Sequence, residues 1–285
     1  MGEHPPTQLT PQQRVEYRER GFHFPVRVFD EKEAAGFRTS FLEYLERNEE
    51  KMKGKLPRDR RIYFTETHLF LRWVCQIVSH PCVLDAVESI LGPNIMVWGS
   101  QWFPKLPRDK AYVSWHQDAT YWGLTPPNVT TAWIALSEST LENGCMQVVP
   151  GTHKPPLLPQ RETYAPDNML SRGQEIAVEV DEAQAVSMCL QPGEMSLHDI
   201  GIVHGSGPNK SDKARIGLAV RYMSTDVVQK GSERELVLLV RGKDEYGHFE
   251  IVSPPESDGV CGESAVHTEA LRRKSRNIMP NDPTT

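Results

Sequence analysis

The chain has 285 residues, 38% of them hydrophobic and 25% charged, and carries a net charge of -6 at pH 7. This length and composition specify a folded globular protein with a sizeable core and exclude a disordered chain. The 32 Lys and Arg residues are scattered, with no basic stripe to neutralise phosphates, so nucleic acid is not an expected partner.

The five cysteines (Cys75, Cys82, Cys145, Cys189, Cys261) form neither a CxxC pair nor a regular framework. Free thiols in a reducing compartment are expected. The polar N-terminus MGEHPPTQLTPQQ has no apolar h-region, and Pro6 stands where a myristoylation pattern needs Ser or Thr. No apolar run approaches the roughly 18 residues of a membrane span. A soluble, cytoplasmic protein that does not bind membranes is expected, and a homodimer is left open.

In chain order, residues 1–10 read as a disordered tail. Thr10 before Pro11 reads as an N-cap with proline at the first helical position, opening a short helix to about Gly21. FHFPVRVF (22–29) reads as a strand, and Asp30 then caps a charged helix to about Lys53. Residues 67–91 hold two helical patterns split at His80-Pro81, the second stopping at Gly92-Pro93.

Beyond residue 93 the texture changes. Short β-rich runs alternate with turn residues at 94–103, 111–118, 129–138, 145–151, 175–180, 185–190, 194–199 and 215–223. Many short strands at this spacing predict a sandwich or barrel. The fold class is therefore mainly β with flanking helices, a jelly roll whose pocket lies between two sheets. The Pro-rich stretch 155–174 reads as a long surface loop of the kind that serves as a lid. Residues 275–285 read as a second tail.

The chemistry-bearing pattern is HxD/E, because His and a carboxylate at i and i+2 on a strand share a face and offer two metal ligands at once. With 10 His and 38 Asp plus Glu, about 1.3 such pairs arise by chance. The sequence has His116-Gln-Asp118, His248-Phe-Glu250 and His267-Thr-Glu269, so context decides among them. The first closes the strand pattern AYVSWHQD and has His204 far downstream as a third ligand. Arg215 starts another strand after the turn GSGPNKSDK. Two His and one carboxylate on one face suit iron(II) with positions left open, and a nearby guanidinium fork suits a dicarboxylate co-substrate. His198 is a rival third ligand, with Asp199 beside it as a partner that orients it.

The blocks WHQDATYWGL, TAWIALSESTLENGCMQVVPGTHK and LHDIGIVHGSGPNKSDKARIGLAVRY resemble the phytanoyl-CoA dioxygenase (PhyH-like) family of 2-oxoglutarate oxygenases over roughly residues 94–225. The resemblance implies a cupin-like double-stranded β-helix in a single domain over 1–285, with a helical layer at 1–92, a jelly-roll core at 93–225 and a C-terminal extension and tail at 226–285. It implies Fe(II) on His116, Asp118 and His204, with 2-oxoglutarate and O2 as co-substrates. It assigns Arg215 to the far carboxylate of 2-oxoglutarate, Ser206 as its helper, and Lys105, Gln117 and Trp133 to the co-substrate side. Halogenating relatives replace the carboxylate ligand with a small residue; Asp118 is kept here, which favours hydroxylation.

Tyr121 and Trp122 follow the ligand pair and predict an aromatic pocket wall able to seat a quaternary ammonium. Arg221, six residues past Arg215, falls on the same strand face and predicts a second anion contact. A small zwitterion of the aminoethylphosphonate or trimethylammonio-ethylphosphonate type is the candidate substrate. The alternatives are a natural-product tailoring oxygenase or a cupin-like metal protein that does not use 2-oxoglutarate.

Overall fold

In the computed structural model, residues 7–55 and 60–278 are described. Their helices are α1 (Pro11–Arg20), α2 (Glu31–Met52), α3 (Arg72–Val78), α4 (Pro81–Leu91), α5 (Ala119–Trp122) and α6 (Ala265–Ile278). Their strands are β1 (Phe22–Arg27), β2 (Ile95–Trp102), β3 (Val113–His116), β4 (Leu124–Thr125), β5 (Val129–Ala135), β6 (Gln147–Val149), β7 (Gln160–Glu162) and β8 (Gln174–Ile176). These are followed by β9 (Val186–Ser187), β10 (Glu194–Asp199), β11 (Val203–Ser206), β12 (Gly217–Ser224), β13 (Val228–Gln229), β14 (Leu236–Arg241) and β15 (Glu250–Ile251).

The helix starts follow local chemistry. Thr10 caps α1 in a reciprocal capping box with Gln13, and Asp30 does the same for α2 with Glu33. Pro81 opens α4, so the chain breaks between α3 and α4 at His80.

Two sheets face each other. The larger runs β1-β10-β5-β12-β2-β14-β15 and the smaller β3-β11-β6-β9. Together they form the predicted jelly roll. Period-2 alternation sorts the large sheet's residues. Ala132 and Ile134 of β5, Met195 and Leu197 of β10, and Leu218, Val220 and Tyr222 of β12 join the core with Phe41, Val74, Ile77, Val83 and Val87 of the helices. The alternate positions, Thr131, Trp133, His198, Ala219 and Arg221, face the smaller sheet and line the cavity between the two. The helices thus seal one face of the sheet and leave the other for chemistry.

No single helix among the described residues is long and apolar enough to cross a membrane. The bent pair α3–α4 passes such a test jointly, and its apolar residues are in the core.

Several expectations need correction. Residues 7–10 are not a loose tail: Leu9 is buried and its N–H donates to Ser89 Oγ at 3.0 Å. Residues 275–278 belong to α6, whose apolar face packs on the protein; the rest of each predicted tail lies outside the described residues. The stretch 155–174 is not loop throughout, since β7 pairs with β8 as a hairpin. The segment after 225 contributes β14 to the large sheet beside β2.

Candidate functional site

The smaller sheet carries the two imidazoles. His116 on β3 and His204 on β11 are direct cross-strand partners, and their ring centroids lie 4.1 Å apart. Asp118 reaches them differently from the strand geometry expected. β3 ends at His116, and Asp118 is helical (φ -60°, ψ -38°) at the start of α5. The turn swings the carboxylate back, so Asp118 Oδ1 stands 3.4 Å from His116 Nε2 and Oδ2 stands 3.9 Å from His204 Nε2.

Ligand atoms of all three side chains lie within 4.8 Å of one another, and all three are buried. Each imidazole is oriented from behind: His116 Nδ1 is 2.8 Å from the Ser114 carbonyl and His204 Nδ1 is 3.0 Å from that of Ile202. A carbonyl can only accept, so each Nδ1 carries the proton and each Nε2 presents a lone pair to the cluster. Burial, then the His116 imidazole, pushes His204 down to about 4, so it is neutral at neutral pH. Burial raises the Asp118 carboxyl, but protonated forms of the facing His116 and His204 rings, and the Arg221 guanidinium, outweigh it, so the net shift is downward. Two neutral nitrogens and one carboxylate oxygen in this arrangement fit a divalent first-row metal.

His198, the rival ligand, lies on the opposite sheet. Its ring is 4.8 Å from that of His204, its Nδ1 has no partner, and it stays outside the three-residue cluster.

A narrow cavity of about 50 Å³ extends from the cluster between the sheets, lined by Trp133, Ser206, Arg215 and Arg221 among others. Arg215 is fully buried. Its Nη1 donates to the Gly144 carbonyl and its Nη2 to the Phe103 carbonyl at 2.8 Å, while Nε has no partner. Its guanidinium covers the Trp133 ring at 5.1 Å. A buried cation with an unmet N–H, and no carboxylate among its partners, fits the far end of a dicarboxylate. Gly144 supplies its carbonyl from a left-handed turn (φ +76°), where a Cβ would strike the Gly207 carbonyl oxygen.

Lys105 lies outside the cavity lining. Its Nζ donates to Ser206 Oγ at 2.6 Å and to the Ser206 and Gly207 carbonyls, so it reaches the cavity only through Ser206. The placement of Gln117 on the co-substrate side is corrected. Gln117 points away from both ligands, and its amide is spent on the Thr152 and Gly201 carbonyls and the Leu158 N–H.

A second, outer cavity of about 270 Å³ opens onto His116 and Asp118. Its wall includes Tyr121, Trp122, Trp98 and Arg221, with Leu170 and Ser171 from the 155–174 segment and Leu271, Lys274 and Ile278 from α6. Sequence reasoning missed the α6 wall; its only signal was an amphipathic pattern after residue 264. The aromatic faces are not bare. Arg172 covers Tyr121 at 4.6 Å, Arg221 covers Trp122 at 5.4 Å and Lys274 covers Trp98 at 4.2 Å. Arg221 in the cavity thus already occupies one face of Trp122, while Arg172, which stacks on Tyr121, is not part of the cavity lining.

A jelly roll with two imidazoles and one carboxylate converging between its sheets defines a non-haem metal site of the oxygenase type. The family model described as "Phytanoyl-CoA dioxygenase (PhyH)" matches residues 17–217, and the chain belongs to that family of iron(II)- and 2-oxoglutarate-dependent dioxygenases. It is 30% identical to the peroxisomal phytanoyl-CoA dioxygenase of Bos taurus over 186 residues, 60% of this chain and 54% of that protein. It is 31% identical to a probable alpha-ketoglutarate-dependent hypophosphite dioxygenase of Stutzerimonas stutzeri over 162 residues, 56% of each. The chain thus spans about half the length of these curated relatives. Among solved structures it resembles the apo form of ThoJ, a non-heme monooxygenase, with 34% identity, a TM-score of 0.81, and coverage of 93% of this chain and 97% of that one. CytC3 with Fe(II) and alpha-ketoglutarate, at 24% identity and a TM-score of 0.66, shares the fold.

Proposed function

We propose that this protein is an iron(II)- and 2-oxoglutarate-dependent dioxygenase that hydroxylates a C–H bond of a small polar metabolite. The observation that carries the reading is the meeting of the His116, Asp118 and His204 ligand atoms in one cavity with Arg215, whose Nε lacks a partner.

His116, Asp118 and His204 are the residues to hold iron(II), with the two imidazoles fixed in the ligating tautomer by the Ser114 and Ile202 carbonyls. Iron(II) bound there supplies, with 2-oxoglutarate and O2, the oxidising power for C–H hydroxylation, yielding succinate and carbon dioxide. Arg215 and Ser206 take the far carboxylate of 2-oxoglutarate. Trp133 covers the Arg215 guanidinium and keeps water from competing for it. Trp98, Tyr121 and Trp122 form the wall of the outer cavity, where substrate is held next to the ligands.

The finer reading is a substrate of the aminoethylphosphonate type. Arg221 in the outer cavity supports an acidic end, and the Stutzerimonas relative's name refers to a phosphorus oxyanion. The covered ring faces favour a small ammonium over a trimethylated one.

A screen of small acidic metabolites for succinate release, with iron(II) and 2-oxoglutarate supplied, tests this, and His116→Ala serves as the inactive control. Arg215→Ala removes one member of a buried charge pair, about 2–5 kcal/mol. It is expected to raise the 2-oxoglutarate requirement at least about 30-fold and the iron requirement far less. Equal effects on both would remove Arg215 from its role; no 2-oxoglutarate turnover with any candidate would sink the dioxygenase reading.

A further inference from the structure

The outer cavity holds more positive charge than its own carboxylates neutralise. Three cations line it, Arg61, Arg221 and Lys274, and two carboxylates, Glu66 and Asp118. Lys274 is committed: its Nζ lies 2.7 Å from Glu66 Oε1 and 2.5 Å from the Trp98 carbonyl. Asp118 belongs to the ligand cluster. Arg61 is left over, and Arg221 senses Glu66 and Asp118 only at a distance, with an ion pair to neither. Among the described residues Arg61 makes no side-chain hydrogen bond or ion pair, and its buried Nε has no partner. Arg221 reaches only Gln101 Oε1, at 3.5 Å, and its Nε is also buried without a partner.

Unpaired guanidinium N–H groups are costly to bury, and two like charges on one cavity raise that cost. Burial, and after it the Arg221 charge, pull the Arg61 guanidinium below its usual value. In each residue the Nε is shut inside without a partner. Segment 61–66 is anchored beside β2, where Thr65 forms a bridge to Gln101 and the Glu66 N–H donates to the Ser100 carbonyl at 2.8 Å. Arg61 is thereby held at the cavity from one side and Arg221 of β12 from another.

We propose that Arg61 and Arg221 form an oxyanion subsite that anchors the acidic group of the substrate, a carboxylate, phosphonate or phosphate, beside the ligand cluster. Each guanidinium presents a planar fork matched to such a group. An arriving oxyanion supplies the missing counter-charge and fixes which carbon faces His116 and Asp118. This deepens the oxygenase reading and rests on it for the reaction, but the subsite itself is a binding claim. Arg221 lines both cavities, whereas Arg61 lines only the outer one, so a change at Arg61 separates this subsite from the Arg215 site.

The test uses protein loaded with iron(II) and saturating 2-oxoglutarate without oxygen, titrated with methylphosphonate and, in parallel, acetate by calorimetry. Wild type is expected to bind methylphosphonate saturably. Arg61→Gln should weaken that binding at least tenfold, with 2-oxoglutarate affinity unchanged within about twofold. Arg61→Lys, which keeps the charge without the fork, should fall between. Arg61→Gln should also leave the melting temperature of the ligand-free protein equal to or above that of wild type, because a like-charge contact is removed; a merely structural arginine would lower it. The proposal is overturned if wild type shows no saturable binding of either anion, or if Arg61→Gln binds methylphosphonate as wild type does. Failure of wild type to bind 2-oxoglutarate would instead sink the oxygenase reading and leave the methylphosphonate comparison to decide the subsite.

Discussion

Lys105 Nζ and Ser206 Oγ meet 2.6 Å apart, with Lys105 joined to Arg215 through a reciprocal backbone bridge. Burial, then the Arg215 charge, pushes the Lys105 ammonium down to about 6. The folded value lies below the unfolded one, so between about pH 6 and 10.5 the unfolded chain binds more protons and the penalty on folding fades as pH rises. A dicarboxylate arriving at Arg215 offsets that charge and favours protonated Lys105. Binding of 2-oxoglutarate at pH 7 is therefore expected to take up a measurable fraction of a proton in wild type, and less in Lys105→Met. Calorimetry in two buffers of different ionisation enthalpy measures this; identical uptake in both proteins would refute it.

Gly217 and Trp133 pack without room for a methyl group. A Cβ on Gly217 would lie 2.0 Å from Trp133 Cζ2, and the Arg215 guanidinium stands over the same indole, 5.1 Å from its ring. Gly217→Ala is expected to cost about 1–3 kcal/mol of stability by overpacking. The displaced indole should also disturb Arg215 and weaken 2-oxoglutarate binding about tenfold. Urea unfolding and a co-substrate titration check the two effects. An alanine variant indistinguishable from wild type in both would show that the indole is free to move.

The ligand cluster separates His204 from His198. His204→Ala is expected to lower affinity for a divalent metal more than about 100-fold, while His198→Asn, which removes no hydrogen bond to a ligand, stays below about 100-fold, the upper end for groups acting from outside the ligand set. Titration with Ni(II), followed by absorbance, needs no turnover to read this. The reverse ranking would move the third ligand to β10.

Lys274 of α6 neutralises a carboxylate buried to 3% exposure, Glu66. Burial raises the Glu66 value, but Lys274, His68 and Arg221 outweigh it and the net shift is downward. A lowered acid contributes stability above its unfolded value of about 4.5, lost as pH falls through the folded value. Lys274→Met removes the one hydrogen-bonded cation of this buried carboxylate and should cost up to about 3–5 kcal/mol at pH 7. Glu66→Gln in the same protein should restore most of that loss. Denaturant unfolding of the single and double variants decides it, and a double variant no better than the single would place the cost elsewhere.

The helical starts were legible because their causes are local: Thr10 with Gln13, Asp30 with Glu33, and Pro81 are all within one turn of the ends they set. Most strands of the core were legible from β-rich runs between turn residues, although β14 went unread because it lies beyond the recognised blocks. Gln117 was placed on the co-substrate side by motif resemblance alone, whereas its partners Thr152, Leu158 and Gly201 lie far along the chain and were not legible.

By itself the sequence determined the two-layer class, the HxD pair, and the distant His204 and Arg215, because residue type, period and motif are properties of neighbouring positions in the chain. Only the tertiary structure decided that His116 pairs with His204 across two strands, that a turn rather than a strand delivers Asp118, and that α6 walls the outer cavity. It also decided that the aromatic faces were already covered and that Arg61 lay unpaired beside Arg221. Register and charge balance arise from segments far apart in the chain, whose contacts exist only once the core has brought them together.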